Sequence, residues 1–268
     1  MNKSIKWISL FSVLLLSACG AQEADLNINL VGQGTISSPS GVDCSESCVA
    51  KVKIPPPFIG NKRVTVTATA ATGSVFLGWN YRFCASDAEI CEVIYSGLCA
   101  DQALCLTGLK YFEESMRPVF VDASYLLDSG VGGFGVCAVF NTGEVQCWSR
   151  NPGGVAEQVP ALNNPQQVAV GSNVACAQVD EGIHCWGLAN QLPQDAPLLY
   201  PPLEMEMLSN KICVLDQEGV KCWDANGMWE TPEFTAPANL RTQNMDTEDL
   251  SGYYFCVDDA GVETCWRN

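Results

Sequence analysis

Apolar and polar residues alternate in short runs along most of this chain. The clearest run is Arg63-Val64-Thr65-Val66-Thr67-Ala68-Thr69-Ala70, which has the two-residue period of a strand with one buried face. Leu26, Ile28 and Leu30 alternate in the same way near the start. No segment sustains a 3.6-residue apolar period, and Gly, Pro, Asn and Asp break the runs at short intervals. The pattern predicts an all-β chain.

Four segments then recur: Cys137 to Trp148, Cys176 to Trp186, Cys213 to Trp223 and Cys256 to Trp266. Each is a cysteine, a turn containing glycine, and a Cys-Trp pair. The first cysteines stand 39, 37 and 43 residues apart, a period that suits the blades of a propeller. In the last three segments eight residues separate the cysteines, an even number that lets them face each other across a two- or four-residue loop such as Asp216-Gln217-Glu218-Gly219. The first segment has nine, and Asn141-Thr142-Gly143 supplies the odd loop, its glycine free to take a positive φ. Each segment therefore reads as a β-hairpin locked by its own disulfide: Cys137–Cys147, Cys176–Cys185, Cys213–Cys222 and Cys256–Cys265. Closing a loop of about ten residues is worth roughly 2.5 to 3 kcal/mol per bridge by chain entropy.

Charge divides the chain near Ala123-Ser124. Residues 26 to 123 carry 7 basic and 9 acidic side chains, whereas residues 124 to 268 carry 5 and 19. The whole chain of 268 residues has a net charge of −16, the wrong sign for nucleic acid or for direct binding to an anionic lipid surface. A single histidine among fifteen cysteines leaves the usual general bases and zinc ligands scarce and disulfides plentiful. The expected architecture is a small β module, residues 26–123, followed by a propeller-like array of four disulfide-stapled β-hairpin repeats, residues 124–268.

The first eighteen residues begin with Lys3 and Lys6 and continue through an apolar run from Trp7 to Leu16, too short to span a bilayer. They end in Leu16-Ser17-Ala18-Cys19, which resembles the lipobox of bacterial lipoproteins. That resemblance implies a signal peptide over 1–18, a lipidated Cys19, a tether over 19–25 and, with glycine at position 20, delivery to the outer membrane in either a periplasmic or a surface-facing position. Fourteen cysteines remain, an even number suited to an oxidising compartment.

Further resemblances cover the rest. Gly32-Gln33-Gly34 with Ser38-Pro39, Cys44 and Cys48, the Val-Thr strand, Phe76-Leu77-Gly78-Trp79 and the closing Arg117-Pro118-Val119-Phe120 resemble a divergent internalin B-type repeat. An insertion carrying Cys99 and Cys105 departs from that pattern. Proximity pairs Cys44 with Cys48, Cys84 with Cys91 and Cys99 with Cys105, although six cysteines allow fifteen connectivities. The four Cys-Trp segments, with Gly171-Ser172 and Asn190-Gln191-Leu192-Pro193 around the second, resemble the repeats of the regulator of chromosome condensation family in their bacterial secreted form. Relatives close with about seven blades and this chain has four. Function does not travel with that fold, although one relative's inhibition of β-lactamases makes protein inhibition one subtype of binding.

Little chemistry stands out. His184 shares its hairpin position with Gln146, Lys221 and Thr264, as a solvent-facing site would. Trp148, Trp186, Trp223 and Trp266 read first as packing between blades and second as a row for stacking a ligand, one side of it partly wet. Acidic turns such as Asp180-Glu181-Gly182 and Asp258-Asp259-Ala260-Gly261 read as hairpin chemistry rather than calcium loops. No catalytic residue, metal site or cofactor is expected. The leading expectation is a non-enzymatic, membrane-anchored binding protein, held to the membrane only by its lipid, with a protein or glycan partner and no nucleic acid. Its specificity would lie in the connections 151–167, 187–203 and 224–245. Two rivals are a polysaccharide hydrolase using a carboxylate pair drawn from Asp249, Asp258 and Glu263, and a purely structural envelope component.

Overall fold

The computed structural model describes residues 22–54, 62–81, 84, 87–95, 113–149, 153–193, 200–246 and 251–267. Residues 1–18, expected as a signal peptide, and Cys19, Cys99, Cys105 and Asp249 lie outside the described residues. Within them the chain is all-β, its only helical turns being two 3-10 turns of three residues each.

The first unit holds β1 (Gln22–Ile28), β2 (Gly34–Ser38), β3 (Val42–Cys44), β4 (Cys48–Ile54), β5 (Lys62–Ala70), β6 (Ser74–Gly78), β7 (Ile90–Tyr95), β8 (Glu113–Met116) and β9 (Val119–Asp122). One sheet runs β4-β1-β8, a second β3-β2-β5-β7, and β6 pairs with β9. The alternation works as read: Val64, Val66 and Ala68 are buried with Leu26, Ile28, Ile36 and Trp79 in one core, while Arg63 and Thr65 face water. The first strand opens at Gln22, which pairs with Ile54, so residues 22–25, expected to be part of a tether over 19–25, belong to the sheet. Gln22 and Glu23 are both polar, and alternation cannot register a strand before its first apolar residue. The glycines at 32 and 34 answer to Phe120: a Cβ at Gly32 would lie 2.0 Å from the Phe120 carbonyl oxygen, and one at Gly34 2.5 Å from its ring. Disulfides join Cys44 to Cys48 and Cys84 to Cys91.

The second unit is four small antiparallel sheets in sequence order. The first blade is β10 (Leu126–Val131), β11 (Val136–Phe140) and β12 (Val145–Trp148), and the second is β13 (Gln167–Val170), β14 (Val174–Val179) and β15 (Gly182–Gly187). The third is β16 (Glu204–Leu208), β17 (Lys211–Asp216), β18 (Gly219–Asp224) and β19 (Gly227–Trp229); the fourth is β20 (Pro237–Asp246), β21 (Ser251–Asp259) and β22 (Val262–Trp266). In each blade the last two long strands form the Cys-Trp hairpin, and its cysteines are directly opposed in register and bonded. The first hairpin closes through Gly143 at φ 83°, and the last turns through Ala260 and Gly261, both at positive φ.

Adjacent Cys and Trp residues point to opposite faces of a strand, and this sets the order of the array. The cysteines of one blade pack against the next: Cys137 and Cys147 with Val168, Ala175 and Trp186; Cys176 with Met205, Ile212 and Trp223; Cys213 and Cys222 with Leu240, Phe255 and Trp266. The tryptophan of each blade thus closes the gap to the unit before it. For the first blade that unit is the β6–β9 sheet, where Leu77, Val119 and Val121 share a core with Val136 and Ala138. The charge boundary near Ala123-Ser124 is a tight turn, with the Ser124 backbone N–H and hydroxyl both donating to Asp122 Oδ1 at 2.9 and 2.6 Å.

Strand β10 packs on β13, β13 on β16 and β16 on β20, and among the described residues no comparable packing joins β20 to β10. Among the described residues the blades therefore pack in sequence order, with β10 and β20 both bordering one cavity. On the last blade Arg241 donates to Asp258 at 3.1 Å and also to Glu263, and the Arg267 guanidinium lies 4.9 Å from the Tyr254 ring centre.

Candidate functional site

The first strands of the blades, β10, β13, β16 and β20, line a cavity of about 710 Å³. Side chains on these strands reach from one blade to the next. Asp128 Oδ2 accepts from the Val168 N–H at 2.8 Å, Gln167 Nε2 donates to the Leu203 carbonyl at 2.8 Å, and Glu204 accepts from the Asn239 N–H at 3.2 Å and from the Leu240 N–H. Asp128, Gln167 and Glu204 each stand nine residues ahead of the first cysteine of their repeat. In the last blade that register position is Ala238, and the neighbouring Asn239 donates to its own Asp258 at 2.8 Å.

Glu206 is the group this geometry leaves unmatched. It is half-buried on β16, lines the cavity, and receives no hydrogen bond from the described residues. Burial, reinforced by the like charges of Asp128, Glu204 and Asp87, raises its carboxyl to about 7. Burial also raises Asp128, against the opposing pull of the Val168 N–H. Two leucines stand exposed among the lining residues, Leu127 at 52% and Leu203 at 57%, so the cavity combines acidic groups with apolar contact points.

The residues singled out from sequence fall elsewhere. Trp186, Trp223 and Trp266 are buried between blades, which corrects the reading of a partly wet stacking row. Gln146 and His184, on the same strand face two residues before their tryptophans, are exposed at the rim while the rings lie deeper, covered from the preceding unit. The connections supply much of that cover. Ala156 accepts from Trp186 Nε1 at 3.3 Å, Leu192 packs in the cluster of Trp223, and the Phe234 ring centre lies 5.2 Å from that of Trp266. The segments expected to be free recognition loops are thus partly structural, and residues 224–245 include β19 and most of β20. Only Trp148 of the four remains half-buried, in a groove of about 370 Å³ with Tyr125, Phe140 and Gln146.

Asp258 and Glu263 oppose each other across β21 and β22 and share Arg241, which lines the cavity, while neither carboxylate is among the lining residues. Hydrogen bonds from Asn239 and Arg241 hold the Asp258 carboxyl below the usual carboxylate range. A general acid needs the opposite shift. The acidic turns have local partners: Asp180 accepts from Asn164, Glu181 from Asn163, and Asp259 from the N–H groups of Thr235 and Ala236.

Fold and cavity together define an all-β protein with a propeller-like array of four disulfide-stapled hairpin blades. No protein-family model matches the chain, and no curated protein matches it. Among solved structures it is similar to the CRINKLY WD40 ectodomain of the receptor kinase ACR4 from Arabidopsis thaliana, at 21% identity over 52% of this chain and 49% of that one, with a TM-score of 0.38. It is also similar to the entire ectodomain of the receptor kinase CR4 from Physcomitrella patens, at 14% identity over 87% of this chain, again with a TM-score of 0.38. The chain spans 64% of that second ectodomain and about half of the first.

Proposed function

We propose that this chain is a bacterial lipoprotein, anchored in the outer membrane through Cys19, that acts as a non-enzymatic binding protein and presents its blade array to a macromolecular partner. The observation that carries this reading is the cavity between the first strands of the four blades, with Leu127 and Leu203 exposed among its lining residues. Each blade behind it is fixed by a disulfide, so the lining is preorganised, which lowers the ordering cost of binding. The resemblances to internalin B-type repeats over 26–123 and to regulator of chromosome condensation repeats over 124–268 enter the proposal as kinship of architecture only. The test is retention of solubilised envelope components on the immobilised full chain. Saturable retention that weakens at least tenfold in a Leu127→Ala/Leu203→Ala variant supports the reading; equal retention by both chains contradicts it.

A second reading has one observation in its favour. Glu206, raised to about 7, and Asp128 line the same cavity, and a protonated carboxyl near an ionised one is the minimum equipment for glycoside hydrolysis. Release of reducing ends from envelope polysaccharide by the full chain, abolished in Glu206→Gln, would establish it.

A further inference from the structure

We propose that the cavity takes a cationic segment of the partner, with a lysine or arginine side chain seated against Glu206. This deepens the binding reading above and rests on it.

The blade half of the chain carries 19 acidic and 5 basic side chains, and three of the acidic groups, Asp128, Glu204 and Glu206, line this one cavity. Two of them are occupied. Asp128 holds the Val168 N–H, and Glu204 holds the N–H groups of Asn239 and Leu240. Glu206 has no such donor among the described residues, although its half-buried position makes an unmatched carboxylate costly to ionise. A cation brought in by a partner removes that cost.

The form of the cation follows from the spacing. No three acidic, histidine or cysteine side chains among the described residues are grouped closely enough to hold one metal ion. The carboxylates instead lie on β10 and β16, on either side of β13 in an open cavity, which suits the long apolar stem and charged head of lysine or arginine. Exposed Leu127 and Leu203 offer contact for such stems or for apolar neighbours in the same segment.

The other charges near Glu206 are accounted for. It feels Asp128, Glu204 and Asp87. Of the strands packed on β16, β13 carries no titratable side chain. On β17, Lys211 lies over the Trp229 ring and Asp216 pairs with Lys221. On β20, Arg241 lines the same cavity, and its guanidinium is held by Asp258 of β21 and Glu263 of β22. Asp246 and Asp259 are acidic, and Tyr253 and Tyr254 are the other titratable side chains on β20 and β21.

The probe is a fluorescent Leu-Lys-Leu-Lys peptide titrated into the full chain, with Leu-Glu-Leu-Glu as its counterpart. Saturable binding of the lysine peptide alone is expected, weakened about tenfold by Glu206→Gln and left unchanged by Glu144→Gln, which removes a charge from the first hairpin, outside the lining of this cavity. Binding should also weaken from pH 8 to pH 6 in the parent chain and much less in Glu206→Gln. Equal weakening by both variants would reduce the effect to net charge and overturn the proposal, as would absence of binding. If envelope retention still depends on Leu127 and Leu203 but is indifferent to Glu206→Gln, the binding reading stands and the cationic anchor falls.

Discussion

Arg117, at the end of the first unit, forms an ion pair with Glu157 in the connection between the first two blades. The same arginine donates to the Ser149 carbonyl at 2.9 Å, and Glu157 also accepts from Ser149 and from the Gly153 N–H at 2.8 Å. Asn80 adds a hydrogen bond to the Trp148 carbonyl. These contacts surround the apolar seam of Leu77, Val119, Val136 and Ala138, so the first unit is docked on the blade array and occupies the place of a preceding blade.

That network has a pH signature. Burial opposes ionisation of Glu157, but the bonds from Gly153, Arg117 and Ser149 outweigh it and lower its carboxyl below the ordinary value. A carboxylate lowered on folding stabilises fully above its unfolded value, about 4.3, and that stability is lost as pH falls through the folded value. Glu157→Gln should therefore cost about 2 kcal/mol at pH 7 and progressively less as the pH drops through and below about 4, measured by urea unfolding across that range.

The hairpin disulfides should act independently of one another. Cys213→Ala/Cys222→Ala removes a bridge between fully buried positions in the middle of the array. A loss of about 3 kcal/mol from chain entropy is expected, with more from the void left behind. Peptide mapping of the variant should still find Cys137–Cys147, Cys176–Cys185 and Cys256–Cys265 intact.

These hairpins were legible because everything that forms them is local. A Cys-to-Cys spacing of nine or ten residues fixes loop length, register and face together. What lay beyond one repeat was not legible in the same way. Two-residue periodicity correctly put Trp148 on the face of Gln146, yet whether that face meets water depends on the unit packed in front of it. The cavity residues carried a faint signal, a polar side chain nine places before the first cysteine in three repeats. Their convergence needed strands from all four blades. Asp258 and Glu263 were chosen as neighbours on a hairpin, and the arginine between them arrives from β20.

Close backbone approach between blades should make Gly171 intolerant of any side chain. A Cβ there would lie 1.8 Å from the Ser209 carbonyl oxygen, a backbone atom that cannot rotate away. Gly171→Ala should destabilise the chain by about 3 kcal/mol, whereas Gly219→Ala, at an open turn with nothing within 4 Å, pays only for its positive φ of 119°. Thermal melts of the two variants give the comparison.

Packing rather than ligand stacking by the tryptophans has its own test. Trp186 Nε1 donates to the Ala156 carbonyl, while the buried Trp266 Nε1 has no partner among the described residues. Trp186→Phe should lose about 1 kcal/mol more than Trp266→Phe, and Ala at either position should cost about 3 to 5 kcal/mol. Urea midpoints at constant m-value measure both.

The most direct test of the binding cavity is site-specific photo-cross-linking in cells that make the full chain. A photoreactive residue replaces Leu203, which lines the cavity, or Val262, exposed on the final hairpin away from it. A discrete adduct from position 203 and none from 262 is the expected result. Equal labelling from both positions, or an adduct from 262 alone, would contradict a binding site between the first strands of the blades.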